Sequence, residues 1–142
     1  MNLPDSKELQ ELIRLCKKND RKAQERLFKL CYPFALQVSR RYTPNLDDAQ
    51  AIVNEGMLKV FNQLDSYSPD MSFGGWVRRI ITNASIDHYR KSKRIQDRYS
   101  ELGDEHLDVS IEEGALDQIS AEEILQLVHE LPPAYRMVFV LY

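Results

Sequence analysis

The residues best suited to chemistry are cationic side chains that recur at helical spacing between positions 78 and 98. Seven Lys and Arg residues stand there against two acids, and Asn83 lies among them. Lys and Arg neutralise phosphate groups, whereas an amide side chain can hydrogen-bond to the edge of a base. The spacing therefore predicts a long basic helix face that binds nucleic acid. The candidate DNA-binding residues on this helix are Arg78, Arg79, Asn83, His88, Arg90, Lys91 and Arg94.

The loop before this helix adds two aromatic rings and a hydroxyl group. Tyr67 and Phe73 offer flat surfaces on which an unpaired base can stack, and Ser72 can cap the start of the helix. Trp76 lies in the middle of the apolar stripe of the helix, so we expect it in the protein core. One alternative is that Phe73 is also a core residue and that the cations only keep the surface solvated.

The two signs of charge are separated along the chain, although the net charge of its 142 residues is only −3. Residues 1–98 hold 18 Lys and Arg against 12 Asp and Glu, whereas residues 99–142 hold one Arg against ten acids. The basic first part favours a polyanionic partner, and the acidic second part favours a segment that avoids one.

Helical periodicity runs through the sequence and no long stretch alternates apolar and polar residues, which predicts an all-α protein built on a compact helical bundle. The residues predicted to cap the helix starts are Asp5, Asp20, Asn45, Ser72 and Ser120. Pro33 lies inside the second helix and predicts a kink or a break there. Cys16 and Cys31 fall on apolar stripes, so we expect two buried thiols.

The pattern predicts three segments. Residues 1–98 form the helical bundle, residues 99–119 are an acidic flexible linker, and residues 120–142 begin a truncated second helical domain. The longest apolar run, residues 137–142, is too short to cross a bilayer, and the first residues lack the pattern of a signal peptide. We therefore expect a cytoplasmic protein.

Three blocks of the sequence carry a family resemblance. Residues 48–61 are similar to a helix written Asp-Ala-Glu-Asp-x-x-Gln-Glu-x-Phe, and residues 73–91 to a signature written Phe-x-x-Trp-Leu-x-x-Ile-x-x-Asn-x-x-Ile-Asp-x-x-Arg-Lys. Both patterns are typical of bacterial RNA polymerase sigma factors of the sigma-70 family, extracytoplasmic function (ECF) type. Residues 1–98 thus resemble the region 2 domain of that family, and residues 120–142 resemble the start of its region 4 domain.

The resemblance implies a transcription initiation factor that binds core RNA polymerase and recognises and melts the promoter −10 element. The loop from Ser66 to Phe73 and the basic helix face would hold the non-template strand of that element. An anti-sigma protein would cover the same surfaces. The helix-turn-helix that reads the −35 element would lie outside this chain. The residues implied to dock on the clamp helices of the largest polymerase subunit are Asp48, Gln50, Ala51, Asn54, Glu55 and Lys59.

The implied polymerase-binding helix departs from the family pattern at three positions. Gln50, Ala51 and Asn54 stand where the family has Glu, Asp and Gln, which removes two acids from the docking surface. We therefore expect polymerase binding to be weaker or less dependent on salt than is usual in the family.

Two other classes of protein remain as alternatives. An enzyme with a divalent metal would need a cluster of acids such as Asp47, Asp48 and Glu55, but acids at a helix start are explained by the helix dipole. The histidines are scattered and no Gly-rich phosphate loop exists, so neither catalysis nor a cofactor is expected. A helical adaptor that binds only an acidic protein partner is the second alternative.

Overall fold

A computed structural model of the chain describes residues 6–99 and 120–141, with side chains up to Ile95 in the first stretch. Within these residues no strand occurs, and the predicted all-α class is confirmed. The predicted acidic linker lies outside the described residues except for Tyr99. The helices in chain order are α1 (Lys7–Lys17), α2 (Arg21–Ser39), α3 (Leu46–Asn62), a 3₁₀ turn (Leu64–Ser66), α4 (Phe73–Tyr99), α5 (Ala121–Glu130) and α6 (Pro133–Leu141).

Polar side chains start the helices largely as predicted. Asp20, Asn45, Ser72 and Ser120 each accept a hydrogen bond from the backbone N–H three residues later. These bonds satisfy donors that have no partner in the first turn of a helix. At the first helix Ser6 has the extended backbone of a capping residue and accepts the hydrogen bond, whereas Asp5, the predicted cap, lies outside the described residues.

The second helix passes through Pro33 without a break. The backbone remains α-helical from Arg21 to Ser39, so the alternative of a break at Pro33 is ruled out, and the predicted kink stays a prediction. A proline removes one backbone donor and crowds the preceding turn. Burial of Cys31, Phe34 and Ala35 on the inner side of α2 holds the helix together across that position.

The first four helices bury one continuous hydrophobic core. Its members come from α1, α2, α3, the 3₁₀ turn and α4, so no helix of this group lacks a packing partner. Helices α3 and α4 lie close together at Gly56. A Cβ atom at that position would lie 2.4 Å from Cδ1 of Ile81. The absence of a side chain at Gly56 therefore lets the two helices lie close together.

Both cysteines are buried and free, as the sequence predicts. Burial raises the pKa of the Cys16 thiol to about 11 and that of the Cys31 thiol to about 12. Because the thiolate is the reactive form, both side chains act as small apolar groups at neutral pH.

The last two helices are joined by the buried guanidinium of Arg136, which is 7% exposed. Arg136 donates hydrogen bonds to the carbonyls of Val128, His129 and Leu131 at 3.4, 3.0 and 2.9 Å. These carbonyls lie at the end of α5, where helical partners are missing. A further bond of 3.2 Å to the Tyr42 carbonyl connects this helix pair to the turn that follows α2.

Candidate nucleic-acid interface

The inner side of α4 is buried along its first half, as its apolar spacing predicts. Trp76 is 9% exposed, which confirms its place in the core. Because an α-helix has 3.6 residues per turn, burial of one side directs the intervening residues to solvent. The buried side chains of this helix are Phe73, Trp76, Val77, Ile80, Ile81, Ala84 and Ser85.

The outer side of α4 presents the predicted basic stripe, which we define as Arg79, Asn83, Arg90 and Arg94. All four side chains are exposed, and their spacing keeps them near one line along the helix. Every side chain from position 90 to 95 is exposed, so the core no longer covers any side of α4 there. A strand of nucleic acid can therefore approach the stripe without displacing any of the described side chains.

The cations of α4 are not neutralised by acids of the same chain in the part whose side chains are described. None of its ion pairs involves Arg79, Arg90, Lys91 or Arg94. Uncompensated Lys and Arg on an exposed helix are the groups that release counterions when they contact phosphates. The electrostatic requirement for binding a polyanion is thus met on this surface.

Arg78 is the one predicted arginine that leaves the stripe. It follows Trp76 by two positions and is turned about 100° from Arg79 around the helix. Its guanidinium carbon lies 5.5 Å from the centroid of the Phe34 ring on α2, at cation–π distance. The side chain is exposed, but it lies over the α2–α4 contact rather than on the line of the other cations.

Tyr67 and Phe73 do not present their rings to solvent, which corrects the stacking prediction for this conformation. Tyr67 is 3% exposed and Phe73 is fully buried. The two ring centroids lie 5.2 Å apart in an edge-to-face arrangement, and Tyr67 also packs against Trp76. Edge-to-face packing of this kind stabilises a core. The alternative interpretation of Phe73 as a core residue is therefore the one that the structure supports.

The predicted polymerase-binding helix, α3, also has an exposed face. Ala51, Asn54 and Glu55 are exposed, and Gln50 is half-buried beside them. Three of these four residues are uncharged, and the exposed acids on this side of the helix are Glu55 and Asp47, which lies one turn before Ala51. This face is therefore weakly acidic, unlike the stripe on α4.

Two polar pairs cross the contact between α3 and α4, and three of their four members are predicted binding residues. The Nε2 atom of His88 lies 3.7 Å from a carboxylate oxygen of Asp48. Lys59 donates a hydrogen bond of 3.3 Å to Asp87. His88 therefore points towards α3 and not along the stripe, and its assignment to the DNA-binding set stays a prediction. Asp48 and Lys59 likewise lie on the flank of the α3 face.

Sequence reasoning missed Leu58 as a surface residue. Its side chain is 61% exposed and lies on the same side of α3 as Ala51 and Asn54. The signal was present in the spacing, because positions seven and four residues apart share one helix face. An exposed leucine among small and amide side chains gives this face an apolar centre.

Two properties of the described residues bear on the alternative classes of protein. No group of three or more His, Cys, Asp or Glu side chains that could hold a metal ion occurs in this part of the chain. In the same part, no helix combines the length and apolar character that a bilayer crossing needs.

A family model described as sigma-70 region 2 matches residues 27–95, which include α3, the loop and α4 up to Ile95. Together with the relatives described next, the match supports a sigma-70 family RNA polymerase sigma factor of the ECF type.

Three bacterial relatives illustrate the likeness. The ECF RNA polymerase sigma factor SigW of Bacillus subtilis (strain 168) is 29% identical over 153 residues, covering 94% of this chain and 76% of SigW. The ECF RNA polymerase sigma factor SigE of Mycolicibacterium smegmatis is 29% identical, with 85% of this chain and 45% of SigE covered. The RNA polymerase sigma factor SigV of Bacillus subtilis (strain 168) is 26% identical, with 70% and 57% covered.

Proposed function

We propose that this sigma factor joins core RNA polymerase through the exposed face of α3 and holds the non-template strand of the promoter −10 element on the basic stripe of α4. The observation that carries the proposal is the stripe itself. Its cations face solvent, and no acid among the described side chains pairs with them. Strand separation at the −10 element is the step that the stripe would assist.

Melting is favoured by any surface that binds the freed strand better than it binds the duplex. Each separated base step costs about 1.4 kcal/mol of stacking. Contacts between arginines and phosphates, with guanidinium planes stacked on unpaired bases, offset part of that cost. Asn83 lies exposed between Arg79 and Arg90 on the stripe, and its amide would read a base edge there.

Polymerase binding through α3 would depend on a different set of forces. Asn54 and Glu55 supply hydrogen-bonding groups, and Leu58 supplies apolar area that a partner can bury. The clamp helices of the largest polymerase subunit are the proposed partner surface. An anti-sigma protein that occupies either exposed face would block transcription initiation by competition.

A helical adaptor that binds only protein is the competing function. In that case the exposed α3 face would still bind a protein, and the basic stripe would bind an acidic protein instead of DNA. The two functions differ in one property, because only a nucleic-acid-binding protein binds single-stranded DNA with an affinity that falls steeply as salt is added.

The test compares two triple substitutions that remove the same charge from two helices. R90Q/K91Q/R94Q neutralises the exposed end of α4, and R21Q/K22Q/R26Q neutralises three exposed cations at the start of α2. The dissociation constant for a labelled single-stranded oligonucleotide is measured over a series of NaCl concentrations. Core polymerase binding is measured in parallel by co-purification.

The proposed function predicts that only the α4 variant loses DNA binding. For this variant, a plot of the logarithm of the binding constant against the logarithm of the NaCl concentration should have a slope shallower by about 0.7 for each phosphate that is no longer neutralised. The α2 variant should behave like the unmodified chain. Both variants should still bind core polymerase. Failure of the unmodified chain to bind single-stranded DNA would favour the adaptor, and equal losses in both variants would show that net charge alone attracts the DNA.

A further inference from the structure

The loop between the 3₁₀ turn and α4 has an exposed tip that is tied to the core by one side chain. Met71, at the tip, is 44% exposed, whereas Tyr67, at the base of the loop, is 3% exposed. Pro69, Asp70 and Ser72 are also exposed. The loop therefore offers its tip to a ligand while Tyr67 lies beneath it.

The Tyr67 hydroxyl makes two hydrogen bonds that join three parts of the chain. It donates to the Met71 carbonyl oxygen at 3.0 Å, which closes the loop onto its own base. It also accepts from the Nε2 atom of Gln10 on α1 at 3.3 Å. A phenolic hydroxyl has one proton to give and lone pairs to receive another, so the two bonds are compatible.

The ring of Tyr67 is fixed by its neighbours, so the direction of the hydroxyl is fixed too. Its centroid lies 5.2 Å from that of Phe73 and 5.4 Å from that of Trp76. The ammonium nitrogen of Lys17 on α1 lies 6.0 Å from the same ring centroid, at the outer limit for a cation–π contact. The loop is thus held by a side chain with little freedom of its own.

We propose that Tyr67 is a positioning residue that, together with Gln10, sets the shape of residues 68–72 for binding single-stranded DNA. The inference rests on the proposed function, since it assigns a task to the loop beside the basic stripe. A loop that already has its bound shape loses less conformational entropy when the strand arrives. Through Gln10, α1 influences DNA binding although it contributes no residue to the stripe.

Positioning and base stacking make opposite predictions for one substitution. Tyr67→Phe keeps the ring and removes only the hydroxyl. If the ring left the core to stack on a base, Phe would serve as well as Tyr. If the hydroxyl positions the loop, Phe loses the bond to Met71 and the bond from Gln10 together.

The experiment uses the full chain with Tyr67→Phe, Gln10→Ala, the double variant and Tyr32→Phe. Tyr32 is the matched control, because its half-buried ring packs on Phe28 and its hydroxyl forms no hydrogen bond within the described residues. The probe is a labelled single-stranded oligonucleotide that the unmodified chain selects from a randomised pool. A scrambled version of the same oligonucleotide and the melting temperature of each variant are measured alongside.

Positioning predicts that Tyr67→Phe weakens binding of the selected oligonucleotide by roughly three- to tenfold. The scrambled oligonucleotide should lose less, since a disordered loop still leaves the cations in place. Gln10→Ala should act in the same direction, and the double variant should be no weaker than Tyr67→Phe because Gln10 works through the hydroxyl. Tyr32→Phe should match the unmodified chain.

Two results would overturn the inference. Unchanged preference between the two oligonucleotides in Tyr67→Phe would mean that the hydroxyl does not position the loop. Equal losses on both oligonucleotides, with a matching fall in melting temperature, would reduce Tyr67 to a stabilising residue. If the unmodified chain binds neither oligonucleotide, the proposed function itself fails and this inference fails with it.

Discussion

The exposed faces of α3 and α4 differ in chemistry although the two helices share one core. The α4 stripe carries cations that have no acidic partner among the described side chains. The α3 face has Leu58 at its centre, Ala51 and Asn54 beside it, and Asp47 and Glu55 as its acids. One helix is thus suited to a phosphate backbone, and its neighbour is suited to a protein surface.

The difference between the two faces shows how one small bundle can hold two partners at a fixed angle. On the proposed assignment, DNA binding at α4 would depend on counterion release and should weaken steeply with salt. Polymerase binding at α3 would depend on apolar burial and hydrogen bonds, which salt affects less. Because Gly56 brings the helices together, neither face can shift without moving the other. A substitution on one face should therefore affect one binding activity alone, whereas a change in the shared core should affect the stability of both faces.

The largest effect is expected from removing the core that the faces share. Trp76→Ala should lower the free energy of unfolding by about 3–5 kcal/mol, because it opens a cavity among Tyr67, Phe73 and α2. Binding of DNA and of polymerase should fall together. Urea unfolding followed by circular dichroism measures the stability change. Loss of only one binding activity at unchanged stability would rule out a common core.

A smaller effect is expected at the contact between the two helices. Gly56→Ala should destabilise the bundle by roughly 1–3 kcal/mol through overpacking, less a gain of up to about 1 kcal/mol in helix propensity. Ile81→Val removes the Cδ1 atom that a Cβ at Gly56 would meet at 2.4 Å. The double variant should therefore be more stable than the sum of the single changes predicts. If the effects of the two substitutions on stability simply add in thermal unfolding, the contact between positions 56 and 81 is not the cause of the destabilisation.

A more selective effect is expected on the α4 stripe. Asn83→Ala should lower discrimination between single-stranded oligonucleotides of different sequence by about 1–3 kcal/mol, with a smaller loss for non-specific sequences. Arg90→Ala should instead weaken binding to every sequence alike. Competition binding against a panel of oligonucleotides separates the two outcomes. Uniform losses in both variants would remove Asn83 from base reading.

The smallest effect is expected on the α3 face. Ala51→Asp restores an acid that the family pattern has at this position and should strengthen polymerase binding by about 0.2–1 kcal/mol. The gain should shrink as salt is added, because the new charge is exposed. Ser92→Asp, on the exposed end of α4, is the control for adding a negative charge and should not help polymerase binding. Equal gains in both variants would contradict docking through α3.

Local chemistry explains which parts of the fold were predictable from the sequence. The caps at Asp20, Asn45 and Ser120 act within four residues, and the apolar stripe of α4 reflects the period of one helix. The outward direction of Arg79 and the burial of Trp76 follow from that period alone.

What the sequence did not reveal depends on contacts between distant segments. In the sequence Tyr67 is an aromatic residue in a loop, and its burial depends on contacts with distant parts of the chain such as α1. The hydrogen bond from Gln10 crosses 57 positions of sequence. His88 and Lys59 belong to binding patterns in sequence but meet partners across the α3–α4 contact. Neither pairing can be read from helical spacing, because it requires the relative register of two helices.

Site-specific photo-crosslinking tests most directly whether α4 faces nucleic acid while α3 faces the polymerase. A photoreactive amino acid is placed at Asn83 or at Asn54, two exposed amides on the two faces. Each protein is irradiated with core RNA polymerase and labelled single-stranded DNA together. We expect position 83 to crosslink to DNA and position 54 to the largest polymerase subunit. DNA crosslinked at position 54, or at neither position, would be incompatible with this division between the helices.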